Sequence, residues 1–246
     1  MKLKEALENS GVSAIIYGES GIGKTHFCGT LPGTTLIIAA EANGIKTLAR
    51  SANVDNIDVV NLPAPGNNMA ETSKRYDHFF EELMTGPLDF DNIVLDSATE
   101  LANQLMITKT DLSKNGGAPA QHTYLEVQWA MRRYLRILRD LAVLRNKNVI
   151  VTALESELIL AQSAEAANSK THPALTGKKL SPEAEGLFDI VGHVEKTANG
   201  VRYIRLEGND TFVAKDRFGR KACIANGEVF VKGLTGNENN ENKEDK

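Results

Sequence analysis

The sequence predicts an α/β fold built on a mostly parallel, twisted sheet flanked by helices, and three observations carry that expectation. Short apolar runs rich in β-branched residues recur along the chain with helical patterns between them. A glycine-rich stretch, GESGIGKT at residues 18–25, stands between the first such run and the first helical pattern. After about residue 186 the rhythm changes to short strands separated by turn residues, which predicts a C-terminal antiparallel β extension.

The first strand is expected over 12–17, followed by a short helix over 25–31 that Pro32 and Gly33 stop. Further strands are expected over 35–39, 92–96 and 148–152. None alternates polar with apolar residues, as befits strands covered on both faces. A helix over 69–84 places Tyr76, Phe79, Phe80, Leu83 and Met84 at helical spacing. A longer helix over 124–145 takes Leu125, Trp129, Leu135, Leu138, Leu141 and Leu144 as its apolar positions, with Arg132, Arg133, Arg136 and Arg139 largely on other faces. Beyond residue 186, strands are expected over 190–195, 201–206 and 229–231, with a hairpin turn at Ala198, Asn199 and Gly200.

A chain of 246 residues can bury one large core, expected over 1–235; residues 236–246 lack apolar side chains and are expected to form a disordered acidic tail. No apolar run is long enough for a membrane span, and the polar N-terminus does not read as a signal peptide. Cys28 and Cys223 stand far apart, which excludes a cysteine zinc cluster and suits a reducing, cytoplasmic setting. The net charge of −4 means that any nucleic-acid contact must come from a local basic surface.

The glycine loop assigns a duty to each of its positions. Gly18, Gly21 and Gly23 let the backbone turn its N–H groups toward phosphate oxygens, and Glu19, Ser20, Ile22 and His26 complete the cradle. Lys24 is expected on the β- and γ-phosphates and the Thr25 hydroxyl on Mg2+, at the start of a helix whose dipole favours the anion. The run DNIVLD at 91–96 is an apolar strand ending in Asp96, placed to hold Mg2+ opposite Thr25. The expected cofactors are therefore ATP and Mg2+. The residue after Asp96 is Ser97, not a carboxylate, so the group that acts on water must come from elsewhere. Glu41, ending the second strand, is the first choice and Glu100 the second. Thr152 and Glu155, at the end of the fourth strand, stand where a polar residue senses the γ-phosphate, or where a strand simply turns into solvent.

These features together, GESGIGKT, a strand ending in Ala40 and Glu41, and IVLDS at 93–97, resemble the RecA core, a P-loop NTPase fold, over roughly residues 10–220. The look is that of the phage-encoded RecA-core ATPases that support single-strand annealing. That resemblance implies that Glu41 acts on the attacking water. KDRFG at 215–219 is similar to the KNRFG signature of the RadA recombination ATPase and to the lysine and arginine fingers of ring helicases related to DnaB. It implies that Lys215 and Arg217 reach the γ-phosphate of a neighbouring subunit, in a homo-oligomeric filament or ring with ATP between protomers. Two departures stand out: the fourth strand ends in Thr-Ala-Leu-Glu where RecA-type proteins carry an amide, and no aromatic follows Glu41.

In the RecA fold two loops meet DNA. Here they correspond to residues 109–124 and 156–181, with Lys109, Lys114, Lys170, Lys178 and Lys179 as candidate contacts. The implied function is an ATP-dependent, single-stranded-DNA-binding recombinase that promotes annealing or homologous pairing in phage DNA recombination, with hydrolysis stimulated by single-stranded DNA. Its expected partners are single-stranded DNA, further copies of the chain and a single-strand-binding protein. Rival readings are a ring-forming helicase or loader, a nucleotide-switched DNA-binding module with little turnover, and a P-loop phosphotransferase; the absence of an arginine-rich lid speaks against the last.

Overall fold

The computed structural model describes residues 11–41, 44–62, 69–110, 117–159, 169–177 and 179–234. Its centre is a nine-stranded sheet. Strands β1 (Ser13–Tyr17), β2 (Thr35–Ala39), β3 (Ile57–Asn61), β4 (Asn92–Asp96), β5 (Asn148–Ala153) and β8 (Ile190–Lys196) run parallel in the order β8-β1-β5-β4-β2-β3. Beyond β8 the sheet turns antiparallel, through β9 (Arg202–Arg205), β10 (Lys215–Asp216) and β11 (Ala222–Ile224). A separate antiparallel pair, β6 (Glu155–Ile159) and β7 (Ser169–Pro173), follows β5 after one residue. The expected α/β architecture with a C-terminal antiparallel extension is thus the one observed, with β8 serving both halves.

The central strands are buried because both faces are covered. Ile15 and Tyr17 point to one core with Ile38, Leu95 and Val151, and Ala14 and Ile16 to the other with Ile37, Val94 and Ile150. The first core is roofed by α2 (Met69–Thr85), α3 (Ala98–Lys109), α4 (Gln121–Leu144) and α5 (Leu180–Leu187); the second by α1 (Lys24–Cys28) and α6 (Gly227–Lys232). Phe80 stacks on Tyr134 at 4.2 Å between ring centres, locking α2 to α4, while Phe27 and Phe230 meet edge to face at 5.4 Å.

Three expectations need correction. Residues 229–231 form part of helix α6, not a strand: the Asn226 side chain accepts the Val229 N–H as an N-cap, Glu228 pairs with Lys232 one turn on, and Phe230 is driven into the core. Residues 156–181 are not an open loop, because β6, β7 and the start of α5 lie within them. On α4 the buried stripe is Val127, Met131, Tyr134, Leu135, Leu138 and Leu141, whereas Leu125, Trp129 and Leu144 face outward. No helix among the described residues is long and apolar enough to cross a membrane. The tail, 236–246, lies outside the described residues.

Candidate nucleotide site

Residues 18–23 wrap from the end of β1 into the first turn of α1. Gly21 and Gly23 hold φ values of +76° and +110°, which an L side chain resists, so the loop can close tightly only with glycine at these places. Inside it the Lys24 ammonium donates to the carbonyls of Gly18 and Glu19, both at 2.8 Å. Burial lowers the Lys24 pKa from its ordinary value, and the charges of Asp96, Glu155 and Glu41 oppose that shift.

The sheet brings the remaining groups to the same end. Strand β5 lies between β1 and β4, so the ends of these three strands converge beside the loop. The Thr25 hydroxyl donates to Asp96 Oδ2 at 2.7 Å, and the buried Thr152 hydroxyl donates to Asp96 Oδ1. Asp96 is therefore held at both oxygens. Ala39 pairs with Asp96 across β2 and β4, which delivers Glu41 to the neighbourhood of Ser97, whose hydroxyl lies 3.4 Å from Glu41 Oε1. A cavity of about 160 Å3 is lined by Ser20, Gly21, Gly23, Lys24, Thr25, His26, Glu41, Thr47, Asp96, Ser97 and Leu154. Neighbouring oxygen donors on Thr25 and Asp96, with a lysine at hand for anionic oxygens, suit a hard divalent ion such as Mg2+ bound with a nucleotide.

Gln104 and Arg202, which brace this site, carry no local sequence signal, and Glu155, expected near the γ-phosphate, turns to His193 instead. The Gln104 amide donates to the Ala40 carbonyl at 2.7 Å and accepts from the Tyr76 hydroxyl at 2.5 Å, fixing the backbone just before Glu41. Arg202, on β9, donates through Nε to the Ile22 carbonyl at 2.6 Å. A Cβ at Gly23 would lie 3.0 Å from the Arg202 side chain, so the loop is packed against that arginine. Glu155 meets His193 Nε2 at 2.9 Å, and His193 packs on the ring of Tyr17. The Tyr17 hydroxyl, with one proton to give, lies 2.6 Å from the Val213 carbonyl and 3.0 Å from the Thr171 carbonyl in β7.

Other predicted residues lie elsewhere. Glu100 turns along α3 toward Asn103 and Gln104. Lys215 pairs with Val191 near the start of β8, and its ammonium donates to the Glu185 carbonyl. Arg217 pairs with Asp189, whose other carboxylate oxygen holds Ser13. Both basic residues therefore sit toward the opposite end of the strands from the glycine loop of their own chain. Lys109 ends α3, Lys170 lies in β7 with its ammonium on the Asn209 carbonyl, and Lys179 precedes α5. Lys114 and Lys178 lie outside the described residues.

A family model described as an AAA domain matches residues 10–218. The chain belongs to the AAA domain family. It is accordingly a P-loop NTPase, and the Lys24, Thr25 and Asp96 cluster lies at the end of its glycine loop. No curated protein matches this AAA-domain chain.

Proposed function

We propose that this protein is an ATPase of RecA type that binds single-stranded DNA and promotes its annealing or homologous pairing, in the manner of phage recombination ATPases. The observation that carries the reading is the placement of the β6–β7 arm. It leaves the nucleotide end of the sheet one residue after β5, the strand whose Thr152 holds Asp96, and the Tyr17 hydroxyl ties it to β1 just before the glycine loop. An arm fixed at both points would follow any change at the phosphate, as a nucleotide-controlled DNA contact requires.

In this reading Lys24 leaves the Gly18 and Glu19 carbonyls for the phosphates, and the loop N–H groups hold the β-phosphate. Thr25 and Asp96 would hold Mg2+, which would supply charge neutralisation on the phosphoryl oxygens. Glu41 orients the attacking water and accepts its proton as the bond from the γ-phosphorus to the bridging oxygen breaks and ADP departs with the electron pair. Arg217, with Lys215 beside it, serves the site of the next protomer, so ATP favours assembly and its hydrolysis releases it. The KDRFG segment also suits a ring-forming motor, which processive unwinding would reveal.

The test is ATP hydrolysis with and without single-stranded DNA, measured beside particle size. Stimulation by DNA and larger particles with ATP are expected. Hydrolysis indifferent to DNA, with no DNA bound in any nucleotide state, would refute the reading; acceleration by a nucleoside monophosphate would point to a phosphotransferase.

A further inference from the structure

We propose that the outer face of α4 around Trp129 is a stacking surface for the bases of single-stranded DNA; this rests on the DNA-binding reading above and gives it a location. Trp129 is 68% exposed on a helix whose opposite face is fully buried, and it is the chain's single tryptophan. Leu125, one turn before it and 53% exposed, shares this face, so the ring belongs to an exposed apolar patch rather than standing alone.

The surroundings point to a polyanion with flat groups. The Arg132 guanidinium lies over the indole, 5.2 Å from the ring centre, and is held in place by a two-point ion pair with Glu183 on α5. Arg136, seven residues on and so on the same side of the helix as Trp129, is exposed and has no ion-pair partner among the described residues. Lys179, exposed before α5, acts on Glu183 together with Arg132 and Arg136. Three cations thus gather around Glu183, beside an indole that carries one of them over its ring. Glu126 is also exposed, one turn before the ring. An exposed ring with cations beside it is what a sequence-tolerant single strand binds: bases stack on the ring while phosphates take the charge. Duplex DNA offers no free base face for this ring.

The surface also adjoins the arm that the nucleotide site controls. Gly177, in the segment that leaves β7, presses on Gln128, where an added Cβ would come within 2.2 Å of the amide nitrogen. Trp129 follows on the same helical turn. A strand lying on Trp129 would therefore reach the foot of the β6–β7 arm.

Because Trp129 is alone, its fluorescence reports this surface without substitution. The experiment titrates dye-labelled oligo(dT) into the full chain with Mg2+ and a non-hydrolysable ATP analogue, following dye anisotropy and tryptophan emission together. Saturable quenching in step with anisotropy is expected. Trp129→Ala should weaken binding by about 5- to 100-fold, and Trp129→Phe, which keeps a ring, should recover most of it. Arg136→Gln should lower the salt slope of binding by about one. Binding by anisotropy with no quenching, and with Trp129→Ala equal to wild type, would overturn this surface and leave the DNA reading standing. No binding in any nucleotide state would remove both. Emission that shifts with protein concentration alone would make the face a contact between copies, and the proposal would fall.

Discussion

Replacing Thr152 by valine removes one hydroxyl and keeps the side chain's shape, at a place where that hydroxyl's short contact is to Asp96, with the Leu95 carbonyl farther off at 3.4 Å. Thr152 is fully buried, and its Oγ1 donates to Asp96 Oδ1 while Thr25 takes Oδ2. A hydrogen bond to a charged group contributes about 1.5–3 kcal/mol, and since Asp96 is only partly buried, water replaces some of it, leaving about 1.5–2 kcal/mol. At this chain length that corresponds to a fall of about 3–8 °C in Tm, or a lower denaturant midpoint with unchanged slope. Thr152→Ser is the control. It keeps the donor and loses a buried methyl, at about 1 kcal/mol, so the two variants differ little in stability. They separate in turnover: freed at one oxygen, Asp96 no longer presents a fixed ligand to Mg2+, and nucleotide hydrolysis in Thr152→Val should fall about 10- to 100-fold with a raised Mg2+ requirement. The serine variant should turn over like wild type. Wild-type rate and Mg2+ dependence in Thr152→Val, or a serine variant equally slow, would show that Thr152 does not orient Asp96.

Three further outcomes are expected. Gln104→Leu strips the donor from the Ala40 carbonyl and the acceptor from Tyr76, so steady-state kinetics should show kcat falling more than KM changes, with about 1–3 kcal/mol lost on unfolding. Glu41→Gln should retain nucleotide binding and lower single-turnover hydrolysis by about 10²–10⁴; an unchanged rate would assign the water to another group. Burial pushes the Cys28 thiol well above its ordinary 9.0 and the Cys223 thiol up to about 11. Both should therefore resist a disulfide reagent at pH 8 until the chain unfolds. The sign for stability follows, since above pH 9 the unfolded thiols release protons that the folded ones keep, so urea unfolding should become easier as pH rises.

The parallel strands were legible because burial on both faces leaves unbroken apolar runs, and the glycine loop and Asp96 because phosphate and metal chemistry restrict which residues fit. Strands β6 and β7, ESELI and SKTHP, left no such trace: they are polar and held by pairing with each other. Strand β3 is half polar because it closes an edge of the sheet. At VFV in 229–231, local β preference lost to a helix cap and to the burial of Phe230 against Phe27. On α4, apolar residues occupy two stripes, and periodicity alone does not say which one meets the sheet. Arg202 was invisible for a different reason: it reaches the glycine loop from 180 positions away.

Lys215 and Arg217 differ in what each would give up to serve a neighbouring protomer. Arg217 has a side chain 57% exposed, and its pair with Asp189 is of the surface kind, worth about 0–1 kcal/mol. If it swings away, Asp189 remains satisfied by the Ser13 N–H and hydroxyl. Lys215 is partly buried, donates to the Glu185 carbonyl, and has its pKa lowered by burial and by Arg217 beside it. Its release would leave the Glu185 carbonyl without that donor. Arg217 is thus the mobile finger in this reading, and Lys215 the fixed charge behind it. Arg217→Ala should cut hydrolysis by about 10³ or more while nucleotide binding persists. An equal mixture with Lys24→Ala discriminates between action in the same chain and in the next. In a head-to-tail assembly a junction is whole only where the glycine loop of the Arg217→Ala chain meets the arginine of the Lys24→Ala chain, so about one quarter of wild-type turnover should return. Mixed particles that co-assemble by size yet stay inactive would place the finger outside the interface.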